Sequence, residues 1–172
     1  MAKKEIKAAL IYSFATKKTS TAAKLIKENL NELNLTEIDA EGLNAGELEQ
    51  YDILIAGAAT WFDGELPTFW DEQIPALEDL NLKGKHVALF GIGNQVEYPE
   101  HFGDSIGLLA DVFASTSAKI IGATSTEGYT FEDSKSVRNN QFVGLMLDFE
   151  NQHNLNESRI ENWCKQLKKQ LT

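Results

Sequence analysis

Two short segments of the chain carry flat rings among polar neighbours, and a third is rich in hydroxyls. Thr60-Trp61-Phe62-Asp63-Gly64 sets an indole close to a glycine, and Gly91-Ile92-Gly93-Asn94-Gln95 runs on to Tyr98. Such rings can stack on a flat ligand; Gly64 permits an unusual backbone conformation, and Gly91 and Gly93 let backbone approach a ligand closely. Asn94 can both donate and accept hydrogen bonds at a ligand's edge. The third segment, Ser13-Phe14-Ala15-Thr16-Lys17-Lys18-Thr19-Ser20-Thr21, leads into a helical pattern. The first N–H groups of a helix are free to donate, so a hydroxyl-rich turn into a helix suits a phosphate. It is not a GxxxxGK[ST] loop, and it holds no glycine, the first in the chain being Gly42. Each segment also has an ordinary reading: Ser or Thr capping a helix, Trp61 packed on a neighbouring helix, a turn with one exposed Tyr98. Taken together, two rings, polar groups and an anion cradle would accommodate a flat aromatic mononucleotide.

The elements between these segments predict where they meet. Ala8–Tyr12, Asp52–Ala56 and His86–Phe90 are short, continuous apolar runs, as strands buried on both faces read. Lys119–Ile121 is a fourth strand and the less apolar Thr36–Asp39 a fifth. Ala22, Leu25, Ile26, Leu30 and Leu33 recur at helical spacing, as do Phe102, Ile106, Leu109 and Phe113 within His101–Ala114. Pro67–Leu80 reads as a helix, and Ile160, Trp163, Cys164, Leu167 and Leu171 mark a terminal amphipathic one. Alternating strands and helices predict a parallel sheet with helices on both faces, whose ligands lie beyond the carboxyl ends of the strands. That rule selects Ser13–Thr19, Gly57–Leu66 and Gly91–Pro99. The polar stretch 123–140 lacks periodicity and ends before the apolar run Phe142–Leu147, so it reads as an insertion splitting the fifth strand. A length of 172 residues fits one domain, 1–172, carrying that insertion.

Composition narrows the function. Lys and Arg number 16 against 26 Asp and Glu, a net charge of -10, which argues against nucleic acid as a partner. From Glu28 to Asp79 there are 14 acidic residues and no Lys or Arg. That half of the surface serves either solubility or docking of basic partners. Hydrophobic residues at 42% exclude general disorder, and no apolar run is long enough for a membrane span. No apolar signal region follows Lys3-Lys4, so the expected location is the cytoplasm. A single cysteine, Cys164, excludes a disulfide framework and reads as a core residue of the last helix. His86, His101 and His153 lie in separate segments without ligand spacing, so no metal is expected. The first strand ends in Tyr12-Ser13, without the acidic pair of a response regulator.

These residues resemble flavodoxins of the long-chain kind over essentially the whole chain. The resemblance rests on Val87–Gln95 through Tyr98, on Ser125-Thr126-Glu127-Gly128-Tyr129-Thr130-Phe131, and on Phe142-Val143-Gly144-Leu145-Met146-Leu147-Asp148. It implies an α/β flavodoxin-like three-layer sandwich with five parallel strands in the order 2-1-3-4-5. It also implies flavin mononucleotide (FMN) and low-potential one-electron transfer by a monomeric carrier rather than an enzyme. Its partners would be basic redox proteins, such as a ferredoxin/flavodoxin-NADP reductase, a photosystem or an oxidoreductase. By the same resemblance Trp61 and Tyr98 flank the flavin, and Thr60, Ile92, Gly93 and Asn94 line it. Phe62, Asp63 and Gly64 form a loop whose backbone rearranges at the Phe62–Asp63 peptide, and Asp148 lies near the ribityl chain. Ser13, Phe14, Ala15, Thr16, Lys17, Lys18 and Thr19 form the phosphate loop, with Thr16 and Thr19 as hydroxyl donors.

That loop departs from the family's [ST]-x-T-G-x-T. Phe14 replaces a hydroxyl, at a cost of about 1.5–3 kcal/mol if a charged hydrogen bond is lost. Lys17 replaces a glycine, which would cost about 1–2 kcal/mol if its backbone were left-handed. Asn94 stands where the family usually has Asp. Two other readings follow: a degenerate binding module with weak or no FMN, and a flavin-dependent quinone reductase.

Overall fold

The structure, a computed structural model, describes residues 5–172. Strands β1 (Ala8–Tyr12), β2 (Thr36–Asp39), β3 (Ile53–Ala59) and β4 (His86–Ile92) form a parallel sheet in the order β2-β1-β3-β4. The fifth position is shared by two pieces. β5 (Lys119–Ile121) pairs with His86–Ala88 of β4, and Leu145–Leu147 pairs with Phe90–Ile92 further along the same edge. The expected sandwich and the split fifth strand are both present.

The apolar runs are continuous because each strand is buried from both sides. Ala9, Ile11, Leu54, Ala56, Val87 and Leu89 face one core, with Trp70, Ile106, Leu109 and Phe113. Ala8, Leu10, Ile53, Ile55, Ala88 and Phe90 face the other, with Ala22, Ile26, Ile160, Trp163 and Leu167. The two-residue period of a strand sends alternate side chains into alternate layers. Helices α1 (Lys17–Asn29) and α5 (His153–Gln170) cover the second core, and α4 (Asp104–Ala114) covers the first.

Three expectations are corrected. The helix expected over Pro67–Leu80 is two short ones, α2 (Thr68–Asp71) and α3 (Ile74–Glu78). Pro75 has no N–H to offer the carbonyl four residues back, and its ring crowds that position. The helix expected from His101 starts at Asp104, because Gly103 stands before it in a left-handed conformation, φ +74°. The insertion runs past Asn140. Its strands β6 (Thr124–Ser125), β7 (Val137–Arg138) and β8 (Gln141–Phe142) make a small antiparallel sheet, so Phe142 belongs to it and only β9 (Leu145–Leu147) rejoins the main sheet.

The insertion packs on α4 and the turn before it. The rings of Tyr129, Phe131 and Phe142 surround buried Phe102 at centroid distances of 5.4–5.9 Å for the pairs Phe102–Tyr129, Phe102–Phe142 and Phe131–Phe142, with Phe102–Phe131 at 5.5 Å. The Tyr129 hydroxyl donates to Met146 O at 2.7 Å, and burial pushes its pKa up to about 12. Arg138 bonds Asp111 of α4 at 2.7 Å. Lys135 O would lie 2.4 Å from a Cβ on Gly107, so the backbones meet there too closely for any side chain.

One residue opposes the pattern. Asn156 of α5 is buried, yet neither its amide nitrogen nor its oxygen has a hydrogen-bond partner among the described residues. An unsatisfied buried polar group costs about 1–3 kcal/mol. Asn156→Leu should therefore raise the free energy of urea unfolding by about 1–2 kcal/mol with unchanged m-value; a lower midpoint would show that the amide is satisfied.

Candidate functional site

All three expected loops leave the sheet at its carboxyl edge. Ala59 pairs with Ile92 at the last step of the β3–β4 ladder, so the next residues, Thr60 and Gly93, emerge side by side. Thr60 N donates to Ile92 O at 3.2 Å, and Gly93 N donates to Leu147 O at 3.0 Å. A cavity of about 390 Å³ is lined by Thr60, Trp61, Phe62 and Tyr98. A second, about 350 Å³, shares Thr60 and Tyr98 with it and continues past Ile92, Gly93 and Asn94 to Lys18 at the start of α1. The two make one crevice, with rings at one end and a helix N-terminus at the other.

At the ring end the apolar side chains are unusually open. Trp61 is 36% exposed, Tyr98 40% and Phe62 70%. Trp61 meets Phe69 edge-on at 6.1 Å, so the ordinary reading of Trp61 as packed on the neighbouring helix is true of one edge only. The negative charge of Glu97 raises the Tyr98 phenol's pKa. Thr60 is fixed from behind: its hydroxyl donates to Ser105 Oγ at 3.0 Å and accepts Ser105 N at 3.1 Å.

The 61–65 loop closes on itself, Trp61 N to Glu65 O at 2.9 Å and Glu65 N to Trp61 O at 2.8 Å. Inside it Phe62 has φ +39° and Gly64 φ +85°. A left-handed conformation costs a non-glycine residue about 1–2 kcal/mol, so Phe62 holds strain. Gly64 rests on a polar pair below it, His101 Nδ1 and Asp104 Oδ2 at 3.0 Å, with Asp104 buried and its other oxygen accepting Lys135 N at 2.7 Å. His101, to which sequence reasoning gave no role, thus supports the loop.

Gly91 and Gly93 were expected to let backbone approach a ligand. Packing inside the protein also requires them. A Cβ on Gly91 would come within 2.9 Å of Met146 Sδ, and one on Gly93 within 3.0 Å of the Phe102 ring. These glycines admit the protein's own side chains, and Gly93 thereby lowers the crevice floor onto Phe102. Asn94 shapes its turn, its Oδ1 accepting Val96 N at 3.1 Å, Glu97 N at 2.9 Å and Asn151 Nδ2 at 2.8 Å.

Asp148, expected beside a ribityl chain, has no exposed surface. Its carboxylate accepts Gln95 N, Gln95 Nε2, Glu150 N and Asn151 N at 2.9–3.1 Å, so it is a brace between two loops. Gln95, also buried, completes it by accepting Thr130 N at 2.6 Å from the insertion. Gln95 and Ser105 carry no sequence signal for this role, because their partners are 35 to 53 residues away.

At the helix end α1 begins at Lys17, with Thr16 in the capping position but no side chain capping the N-terminus. The Thr16 hydroxyl donates instead to Ser13 O at 2.7 Å, and Thr19 is buried. These are the two hydroxyls expected to serve a phosphate. The turn also offers backbone: Lys17, Lys18 and Thr19 are the first three helical residues, whose N–H groups lack intrahelical acceptors. Lys17 is helical rather than left-handed, so its replacement of glycine carries no backbone strain. Lys17 and Ala15 are exposed, Lys18 pairs with Glu150, and the half-exposed Phe14 ring rests on Tyr12 at 5.0 Å.

A doubly wound α/β protein with a crevice for a flat ring and an anion at its carboxyl edge is the class this geometry defines. A flavodoxin family model matches residues 10–163. A flavodoxin of Nostoc sp. is 39% identical over 165 residues, covering 96% of this chain and 97% of its own. Flavodoxin 1 of Escherichia coli is 37% identical over 163 residues, covering 94% and 93%. The solved Fusobacterium nucleatum flavodoxin bound to flavin mononucleotide has a TM-score of 0.91 and 32% identity, covering 95% of this chain and 98% of its own. The chain belongs to the flavodoxin family.

The support under the 61–65 loop can be tested alone. A Cβ on Gly64 would lie 2.5 Å from Asp104 Oδ2 and 2.8 Å from His101 Nδ1, in a conformation only glycine accepts freely. Gly64→Ala should lift the loop, change Trp61 fluorescence and lower stability by about 1–2 kcal/mol. An unshifted emission spectrum would show the loop is not seated on that pair.

Proposed function

We propose that the crevice binds flavin mononucleotide and that the protein carries single electrons between redox proteins. The observation that carries this reading is the continuity of the crevice. Two open rings at one end and an uncapped helix N-terminus at the other suit a ligand that is flat at one end and anionic at the other. Bound there, flavin mononucleotide would supply one-electron redox chemistry. Trp61 and Tyr98 would flank the ring and exclude water from its faces, and the Thr60–Ser105 pair would fix the floor between them. The N–H groups of Lys17, Lys18 and Thr19, with the α1 dipole, would hold the phosphate. The 61–65 loop would adjust at the Phe62–Asp63 peptide, where Phe62 is already strained.

The charge around the loop favours a basic partner. Asp63, Glu65, Asp71, Glu78 and Asp111 line one groove of about 560 Å³ beside Gly64, with Lys135 among them. A basic protein steered to this groove would arrive next to the exposed rings. The protein would act as a monomeric carrier rather than an enzyme. No helix among the described residues is long and apolar enough to cross a membrane, and the lone Cys164 is buried and free, which suits the reducing cytoplasm.

Adding flavin mononucleotide to the apoprotein should quench Trp61 fluorescence. In a Trp61→Ala, Tyr98→Ala double variant affinity should fall roughly a hundredfold, about 3 kcal/mol for two stacked rings. Unchanged affinity would place the flavin elsewhere. With a basic reductase at limiting concentration, the electron-transfer rate should fall steeply as salt rises from low to physiological strength. A flat profile would remove the docking role of the acidic groove.

A further inference from the structure

We propose that Glu41 is an internal competitor for the phosphate loop, and that it sets how strongly this protein prefers a phosphorylated flavin over its dephosphorylated form. The inference rests on the flavin reading above and concerns this chain's own departure from its family. It starts from the register of the sheet edge. β1 pairs with β2 so that Tyr12 faces Asp39, and Ala40 N donates to Tyr12 O at 2.9 Å. The residues after β2 therefore leave the sheet beside those after β1, and they are acidic.

The contacts that follow occupy two donors at the start of the loop, ahead of the helix N–H groups. Ser13 Oγ donates to Glu41 Oε2 at 3.2 Å, and Phe14 N donates to Asp39 Oδ1 at 3.3 Å. Asp39 Oδ1 also accepts Glu41 N at 3.0 Å, which fixes the Glu41 backbone beside the loop. A hydroxyl has one proton to donate, so Ser13 cannot serve Glu41 and a phosphate at once. With Phe14 in place of a hydroxyl and Thr16 committed to Ser13 O, Ser13 is the hydroxyl of residues 13–16 left to compete for. Charge adds to this. Of the two cations at the helix start, Lys18 is paired with Glu150, while Asp39 and Glu41 hold two further carboxylates against Phe14 N and Ser13 Oγ. A phosphate dianion entering here meets a carboxylate held on the hydroxyl at the start of the loop, whereas riboflavin, lacking the phosphate, is indifferent to Glu41.

The experiment compares dissociation constants for flavin mononucleotide and riboflavin in the full-length apoprotein. Glu41 is exposed, so Glu41→Ala removes charge and acceptor without opening the core, and Glu41→Gln removes the charge alone. The preference for the mononucleotide should rise about tenfold in Glu41→Ala and by less in Glu41→Gln, with riboflavin affinity unchanged. Glu47→Ala, another exposed acid of the same stretch, should leave the preference as in the wild type. An unchanged preference in both Glu41 variants overturns the proposal, and so does an equal rise in Glu47→Ala, which would make the effect one of overall charge. Wild-type protein that binds neither ligand would overturn the flavin reading itself, and this inference with it.

Discussion

The parallel pairing of β3 with β4 is the contact on which the rest of the structure depends. The two strands run together for seven residues and end together, Ala59 against Ile92. Both lie at the centre of the sheet and are buried in both layers, so neither can shift register without turning one core's side chains into the other. Close packing across the pair strengthens the constraint: the Phe90 ring lies over Gly57, where a Cβ would sit 2.1 Å from its edge. Because the strands stop at the same level, the loops that follow must flank a common gap. The crevice is the consequence of a strand register, and the rings at its mouth inherit their separation from it.

The two walls of that gap are held very differently. The wall after β4 is braced from below and behind. Gly93 sits on Phe102, Phe102 is enclosed by the insertion's aromatic residues, and Gln95 is tied to Asp148 and to Thr130. The insertion is therefore a buttress for one side of the site, although it contributes no lining residue to either cavity of the crevice. The wall after β3 has a lighter hold: one backbone bridge, a strained Phe62 and a glycine resting on the His101–Asp104 pair. Local stability follows the density of such contacts, so the 61–65 loop is the side of the crevice suited to move.

Charge divides the same edge of the sheet along its length. Acidic groups surround the ring end, where they suit a basic partner and disfavour added negative charge on anything bound. They also reach the start of α1, where Glu150 pairs with Lys18 and Asp39 and Glu41 bind Phe14 N and Ser13 Oγ. The backbone donors of α1 work against this field whatever the side chains are, so the altered loop sequence keeps the free N–H groups and the helix dipole that favour an anion.

Much of this was legible in the residue order. Continuous apolar runs marked the buried strands, the alternation of strands and helices gave the sheet class, and the strand ends pointed to the three loops and to Trp61 and Tyr98. These signals are local, arising from periodicity and from glycine, proline and capping chemistry within a few residues. Proline and glycine also showed their limits, since Pro75 broke one expected helix and Gly103 delayed another. What only the tertiary structure decided is pairing at long range. Asp148 binds Gln95, 53 residues away, and the two loop glycines accommodate Met146 and Phe102. Glu41 reached Ser13 across 28 residues, and Asp39 reached Phe14 N across 25. No local pattern encodes such contacts, because each exists only once the order and register of the strands have brought distant segments to the same edge.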